Sequence, residues 1–525
     1  MMTVLCPDSS REAGLLVAAA LRRSLTARQV SAVSATVNPA EVTRLVCAVN
    51  SDEEMGEFLV RFIDSSQKSK LIIFGAVPAL LAIQLGLVPG SFPNDLGIAV
   101  RAAAARAGTF AESPCRIVYS TQAQKLGLAR MERAAERFDF TDEWNNLGYG
   151  ALKADGSPWA VAAPFRADPS AELARLQVDG IPIATYASLH DFPNASVLWF
   201  NRPVGPIDSF EWRLVEDFIA NYRHEDLPCL PVISEIPHSH DAAATMRLDC
   251  DEDVESSRAL FDAYREMGVP FSLAVHTALL SEEANRPIIA DVLRSGGSIL
   301  SHSATHAPNW GGSYEAAHRE ASESKQALES LTGATTRYAV SPFHQTPFYA
   351  REALRDAGYA GCIGGIIRND PEFLLARGGI LADLEGPFIG HSQQHMLHGD
   401  CLLSDGDPLA VSKQAFDLAM ASKTLFGYLD HPFSARYQYG WSDESSRIAA
   451  HRELVGHIRS VANKPLFLSE DRALDFISRK AAARLVQDGD RFCLEEDNVD
   501  EAADLDLAAE YRGKTYNVSR EEIPV

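Results

Sequence analysis

The stretch Thr245–His276, TMRLDCDEDVESSRALFDAYREMGVPFSLAVH, holds two short apolar runs on either side of a helical one. TMRLDC and FSLAVH have the composition of strands, while ESSRALFDAYREMG places apolar residues at helical spacing and stops on a glycine. The same rhythm continues through ANRPIIADVLRSGG, SILSH, SYEAAHREASESKQALESLTG, RYAVSP and FYAREALRDAGY. Polar residues close the strands. Repeated βα units of this kind predict a distorted (β/α) barrel, in which reactive side chains gather at the C-terminal ends of the strands.

Outward from this stretch the 525 residues exceed one core, since domains run to about 100–200 residues. TVLCP, the helical run Arg11–Leu25, KLIIFGAV and PALLAIQLGL alternate strand and helix, which predicts a doubly wound α/β domain with no Gly-rich phosphate loop. From about residue 145, LGYGALKADGSPWAVAAPFR, IPIATYA and SVLWFNRPVG are richer in strands, and Asp208 marks a helix start before SFEWRLVEDFIANYRHE. The Pro-rich LPCLPVISEIPHSHD, residues 227–241, is the expected boundary. The predicted organisation is an α/β N-terminal domain over 1–235, a barrel over 241–480 and a small β-rich tail over 481–525.

Acidic residues outnumber basic ones 71 to 48, a formal charge of −23 that disfavours nucleic acid or an anionic membrane as partner. No window reaches the roughly 18 unbroken apolar residues of a membrane span, and the N-terminus lacks the pattern of a secretory signal. The eight cysteines are scattered without a CxxC pair. Reduced thiols and a cytoplasmic location are the expectation.

Chemistry concentrates in ILSHSATHAPNW, residues 299–310, where His302 and His306 stand four apart after a strand. Two neutral imidazoles suit a borderline cation such as zinc, but two ligands are too few. MRLDCDED ends another strand, and on an extended chain Asp249 and Asp251 share one face with Cys250 on the other. One carboxylate could bind the cation while the other takes a proton from water. The plainer alternatives are surface or capping histidines, and an acidic helix start in which Asp253 meets free N–H groups. His391, His395 and His398 in GHSQQHMLHGD are spaced for one helical face and could form a second metal site, although the glycines around them favour a loop.

These motifs resemble the polysaccharide deacetylase family, carbohydrate esterase family four, over roughly residues 243–475. HSATH in GGSILSHSATH matches the family's second motif in full, SESKQALESLTGATTRYAVSPFHQTPFYAREALRDAGYAG resembles the helix, strand and Pro-aromatic step that follow, and FGYLDHPFS resembles its late histidine strand. The resemblance implies that Asp251, His302 and His306 hold one divalent ion, zinc first, with cobalt or nickel as alternatives. It assigns Asp249 as general base and His431 as proton donor to the leaving amine. The metal would lower a bound water's pKa from about 16 toward about 7, with oxyanion support from the backbone near Pro342 and Phe343. Two departures stand out. Cys250 separates the usually adjacent aspartates, and Ala339, Val340 and Ser341 precede Pro342 where the family carries an arginine, leaving Arg337 as the candidate to orient the base or contact substrate. Trp310, Tyr437 and Trp441 could stack on sugar rings or pack in the core.

The resulting expectation is a metal-dependent hydrolase removing an N-acetyl group from an amino sugar in a polysaccharide, glycolipid or sugar precursor, in the setting of polysaccharide biosynthesis. Its rivals are a degenerate family member kept as a carbohydrate-binding or scaffold module, and a metal-free barrel glycosidase using Asp249 and Asp251. Two carboxylates that close on one strand poorly suit the flanking of a glycosidic bond.

Overall fold

The computed structural model describes residues 1–36, 38, 41–101, 114–128, 132–135, 152–364, 377–382, 384–392, 395–496 and 504–525. The onset of the strand-rich region near 145, Gln393 and Gln394, and residues 497–503 of the expected tail lie outside them.

Uninterrupted Val, Leu and Ile runs form the centre of a first sheet, as parallel strands covered on both faces require. Its strands are β1 (Met2–Leu5), β2 (Val30–Ser34), β3 (Leu45–Val49), β4 (Ser69–Phe74), β5 (Cys115–Tyr119), β6 (Glu132–Ala134), β7 (Glu172–Val178), β8 (Ile181–Asp191) and β9 (Ala195–Phe200), in the order β2-β1-β3-β4-β9-β8-β7-β5-β6. Pairings from β2 to β9 are parallel, and those from β9 through β8, β7 and β5 to β6 are antiparallel. α1 (Arg11–Ser24) covers one face, α2 (Glu53–Ile63) and α3 (Ala79–Gln84) the other, and α4 (Ser209–Ala220) joins α1. Asp208 caps α4 as the sequence predicts, accepting from the Glu211 N–H at 2.9 Å. Helices on both faces match the doubly wound pattern for the parallel half, whereas the antiparallel half departs from it.

The βα rhythm after residue 241 builds a second sheet. Its elements are β10 (Ala242–Cys250), α5 (Arg258–Met267), β11 (Ser272–Val275), α6 (Arg286–Arg294), β12 (Ser298–Ser301), α7 (Tyr314–Thr332), β13 (Tyr338–Val340), α8 (Phe348–Asp356), β14 (Gly361–Gly364), β15 (Gly379–Ile380), β16 (Ile389–Ser392), β17 (His395–Met396), α9 (Ala410–Ser422), β18 (Phe426–Asp430), α10 (Glu444–Val461), β19 (Pro465–Leu468) and α11 (Glu470–Ala482). The strand order is β15-β16-β14-β13-β12-β11-β10-β18-β17, with β19 also paired to β10.

Among the described residues no pairing joins β15 to β17, so closure of the expected barrel is not detected. The edge at β15 is covered instead, because Arg23 of α1 donates from Nε (3.1 Å) and Nη2 (2.9 Å) to the Ile380 carbonyl. α11 packs against β10, β12, β15 and β16. Its first N–H groups, of Glu470 and Asp471, are met by the hydroxyls of Ser272 and Ser298 at 3.0 Å each. Alternation sorts the strands' side chains by face: Met246, Leu248 and Cys250 join the cluster with α5 and α10, whereas Leu300, Tyr338, Val340 and Ile363 join α11 through Leu474 and Ile477. That second cluster runs on without a break into Val17, Leu21 and Trp212 of the first sheet's helices, so the two sheets share a core.

Beyond α11, Arg484–Asp488, Arg491–Glu495 and Ile523–Pro524 form one small antiparallel sheet. Ala508–Tyr511 and Lys514–Asn517 form a hairpin that pairs with Val232–Ile233. Among the described residues, no helix is long and apolar enough to cross a membrane.

Glu510 of that hairpin ties three regions together, through Arg213 of α4 at 2.8 Å and through Lys423 after α9. Burial alone would raise its carboxyl, but the two cations outweigh this and hold it down to about 2. A depressed folded-state pKa stabilises the fold above the unfolded value, near 4.3, and this contribution fades as pH falls toward 2. Urea titrations at stepped pH are therefore expected to lose about 2–3 kcal/mol across that window, and Glu510→Gln to lower stability at pH 7 by about 1–3 kcal/mol and flatten the acid limb.

Candidate metal and catalytic centre

β10 supplies the carboxylates. Asp249 lies on its inner face, and Asp251 follows where the strand has ended. The Asp251 main chain is fixed by the His276 Nε2–H, which donates to its carbonyl at 2.8 Å. The HSATH loop leaves β12 and turns back sharply, with Ser303 at φ 69° and His306 at φ 56°. Glu320 of α7 holds this strained turn, accepting from the N–H groups of Ala304 (2.9 Å) and Thr305 (2.8 Å) and from the Thr305 hydroxyl (2.7 Å). The His306 N–H donates to Ser303 Oγ at 2.9 Å.

The turn brings both imidazoles to one carboxylate. Asp251 Oδ1 lies 3.3 Å from His302 Nε2 and 3.2 Å from His306 Nε2, while Oδ2 lies 3.4 Å from His431 Nε2. His302 Nδ1–H donates to the Val340 carbonyl at 3.0 Å, which leaves Nε2 with its lone pair toward Asp251. Burial would raise the Asp251 carboxyl, but the positive charge of His431 holds it well below the usual range. Asp251 Oδ1 is buried yet accepts no well-formed hydrogen bond. An orphaned carboxylate oxygen beside two imidazole nitrogens, one of fixed tautomer, is a donor set that fits a divalent cation.

Asp249 is also buried. Arg247, two residues earlier on the same face, donates to it from Nε at 2.7 Å and Nη2 at 3.4 Å. Burial works against its charge, but Arg247 and the nearby imidazoles keep the carboxyl below its ordinary value.

His431 stands at the end of β18 and is gripped from several sides. Its Nδ1 shares a hydrogen bond with His398 Nε2 at 2.7 Å, Tyr439 stacks on its ring at 4.1 Å, and Arg447 Nη2 donates to its carbonyl at 2.6 Å. Asp430 accepts from the His431 N–H and from Arg447 Nε at 2.7 Å each, and its Oδ2 lies 3.1 Å from His451 Nε2. His398, Asp430 and His431 are close enough together to suggest a second cation group. The lone pairs of Asp430 are already engaged, so this cluster is a hydrogen-bonded support. His395 bonds Ser412 instead, and only His398 of the three spaced histidines reaches this group.

The expected substrate contacts divide. Phe343, at φ 53° and 38% exposed, lays its ring 4.5 Å from that of His306, beside buried Pro342. Tyr437 is exposed and lies 6.0 Å from Tyr439. Trp310, expected as a sugar platform, is fully buried among Ala317, Ala321, Ala350 and Leu354. Trp441 is buried as well and donates to Asp430. Arg337 is not brought to Asp249; it is half exposed and paired with Asp475 at 2.5 Å. The sequence reading missed Arg247, His276, Tyr439 and the partnership of His398 with His431. Only Arg247 carried a usable signal, its two-residue offset from Asp249 on a strand.

With this geometry in view, residues 245–362 match the family model for polysaccharide deacetylase, so this part of the chain is a polysaccharide deacetylase segment. No curated protein matches the chain. Solved structures that this chain matches include a putative polysaccharide deacetylase from Mycobacterium smegmatis, 16% identical, covering 48% of this chain and 97% of that one at a TM-score of 0.35. The CE4 domain of a multidomain xylanase from the hindgut metagenome of Trinervitermes trinervoides is 14% identical (45% and 90% covered, TM-score 0.31). A family 4 carbohydrate esterase from Bacillus anthracis is 13% identical (45% and 83% covered, TM-score 0.28).

The support around His431 depends on a buried ion pair whose partners are both inaccessible. Arg447→Met strands the Asp430 charge and is expected to cost about 3–5 kcal/mol in the denaturant midpoint, whereas adding Asp430→Asn recovers part of that loss.

Proposed function

We propose that the chain is a metal-dependent hydrolase that removes an N-acetyl group from an amino sugar, in a polysaccharide, glycolipid or sugar precursor. The observation that carries this reading is the convergence of His302 Nε2, His306 Nε2 and the orphaned Asp251 Oδ1, with buried Asp249 on the same strand. Asp251, His302 and His306 would hold one divalent ion, zinc first, with cobalt or nickel as alternatives. When bound, such an ion supplies Lewis acidity toward a carbonyl and makes water nucleophilic near neutral pH.

The chain's own groups divide the remaining work. Asp249, kept charged by Arg247, accepts the proton of the attacking water. Proline has no N–H, so of Pro342 and Phe343 only Phe343 offers a backbone donor to the oxyanion. His431, its Nδ1 engaged by His398, keeps Nε2 toward the site and protonates the leaving amine. Exposed Phe343 and Tyr437 give apolar faces on which sugar rings can stack.

We also read the chain as three units, 1–235, 241–480 and 481–525, supported by the two separate large sheets, although the 508–517 hairpin pairs with Val232–Ile233 and the core is shared. We likewise place the protein in a reducing, cytoplasmic setting, which eight scattered cysteines without a CxxC pair favour.

The test joins plasma mass spectrometry of the purified protein with acetate release from N-acetylated sugars. About one equivalent of divalent metal is expected in the parent, lost in His302→Ala together with turnover. Asp249→Asn is expected to keep its metal while kcat falls about 10²–10⁴-fold. A parent that binds N-acetylated sugar but takes up no metal and releases no acetate would leave the scaffold reading in its place.

A further inference from the structure

We propose that Arg247, steadied by Glu470, is the positioning residue for Asp249, filling from the same strand the role that the missing third-motif arginine leaves vacant; this rests on the deacetylase reading above. Residues two apart on an extended strand share a face about 6.6–6.8 Å apart, within a folded arginine's reach. Arg247 uses that reach to contact both oxygens of Asp249, Nε at 2.7 Å and Nη2 at 3.4 Å, an arrangement that sets the carboxylate's plane as well as its distance. Both side chains are at most 3% exposed, so water does not compete for them.

The guanidinium also lies beside a second buried carboxylate. Arg247 Nη1 lies 3.7 Å from Glu470 Oε1, and Glu470 sits at the start of α11, where its N–H is bonded to Ser272 Oγ at 3.0 Å. Glu470 is thereby anchored to β11, the neighbour of β10. No cation from β13 occupies this place: Ala339 packs into the cluster around Trp310, Val340 joins the core with α11, and Arg337 is paired with Asp475. A base must be held in line with the proton it takes, and a misplacement of about 1 Å can cost about 10²-fold in rate.

The experiment compares Arg247→Met, Arg247→Lys, Glu470→Gln and Arg337→Met with the parent in metal content, kcat and KM for acetate release. Arg247→Met is expected to retain its metal and KM while kcat falls about 10²-fold. Arg247→Lys, whose ammonium restores charge but does not span both oxygens, is expected to recover about tenfold of that, and Glu470→Gln to lower kcat less than Arg247→Met. A parent-like kcat in Arg247→Met beside an inactive Asp249→Asn overturns the proposal, as does a loss confined to Arg337→Met. Should Arg247→Met not fold, Arg247→Lys carries the test, and a parent-like kcat there overturns it. If the parent releases no acetate, the deacetylase reading fails and a crystal structure of an Arg247 variant decides: an Asp249 carboxylate rotated from its place supports positioning, and an unmoved one overturns it.

Discussion

A carboxylate buried at the end of a strand must have its charge answered, and much of the second sheet's interior is arranged around that requirement. Asp249 is 2% exposed, and burial works against its charge; Arg247 and the nearby imidazoles offset this. The guanidinium in turn needs company, which Glu470 supplies from α11. Burial against Asp249 pushes Glu470 up to about 7 despite the cation beside it. Asp249, Arg247 and Glu470 thus form one buried acid–base–acid chain between β10 and α11. Each member is tolerable only because the next is present.

The same rule governs the other wall of the site. Asp430 is fully buried, and Arg447, the His431 N–H, His451 and Trp441 surround it. His431 is consequently held by neighbours on several elements rather than by its own strand alone. Between the two walls Asp251 is different: its Oδ1 has imidazole nitrogens near it but no satisfactory hydrogen bond. That orphan, set between imidazole nitrogens, is what favours the proposed ligand set over a purely structural salt-bridge network.

Much of the fold was legible from local pattern. The βα units after Thr245 and the Asp208 helix start depend on side-chain periodicity within a dozen residues, and the chain forms them as that periodicity predicts. Closure of the barrel was not legible. The cover over β15 comes from Arg23, 357 residues away from the Ile380 carbonyl it meets, and no local signal reports such a contact. Trp310, which the sequence left between a sugar platform and the core, was settled by tertiary packing: its place beside the motif is a fact of sequence, but α7 and α8 bury it. In GHSQQHMLHGD the glycines favoured a loop over the helical face that the histidine spacing allows, and the described residues there form two short strands and a turn, in which His395 and His398 take different partners.

What the sequence by itself determined is the identity and order of the groups proposed to react. A five-residue HSATH at a strand end and a D-x-D on another strand confine those side chains to one rim, because strand alternation and the βα connection leave little freedom. What only the tertiary structure decided is which charge answers which. The family pattern pointed to the strand before Pro342 for an arginine, whereas the folded chain meets Asp249 from Arg247 and uses Arg337 elsewhere. Ion pairing falls steeply with distance and depends on burial, and both are set only when separate elements pack together.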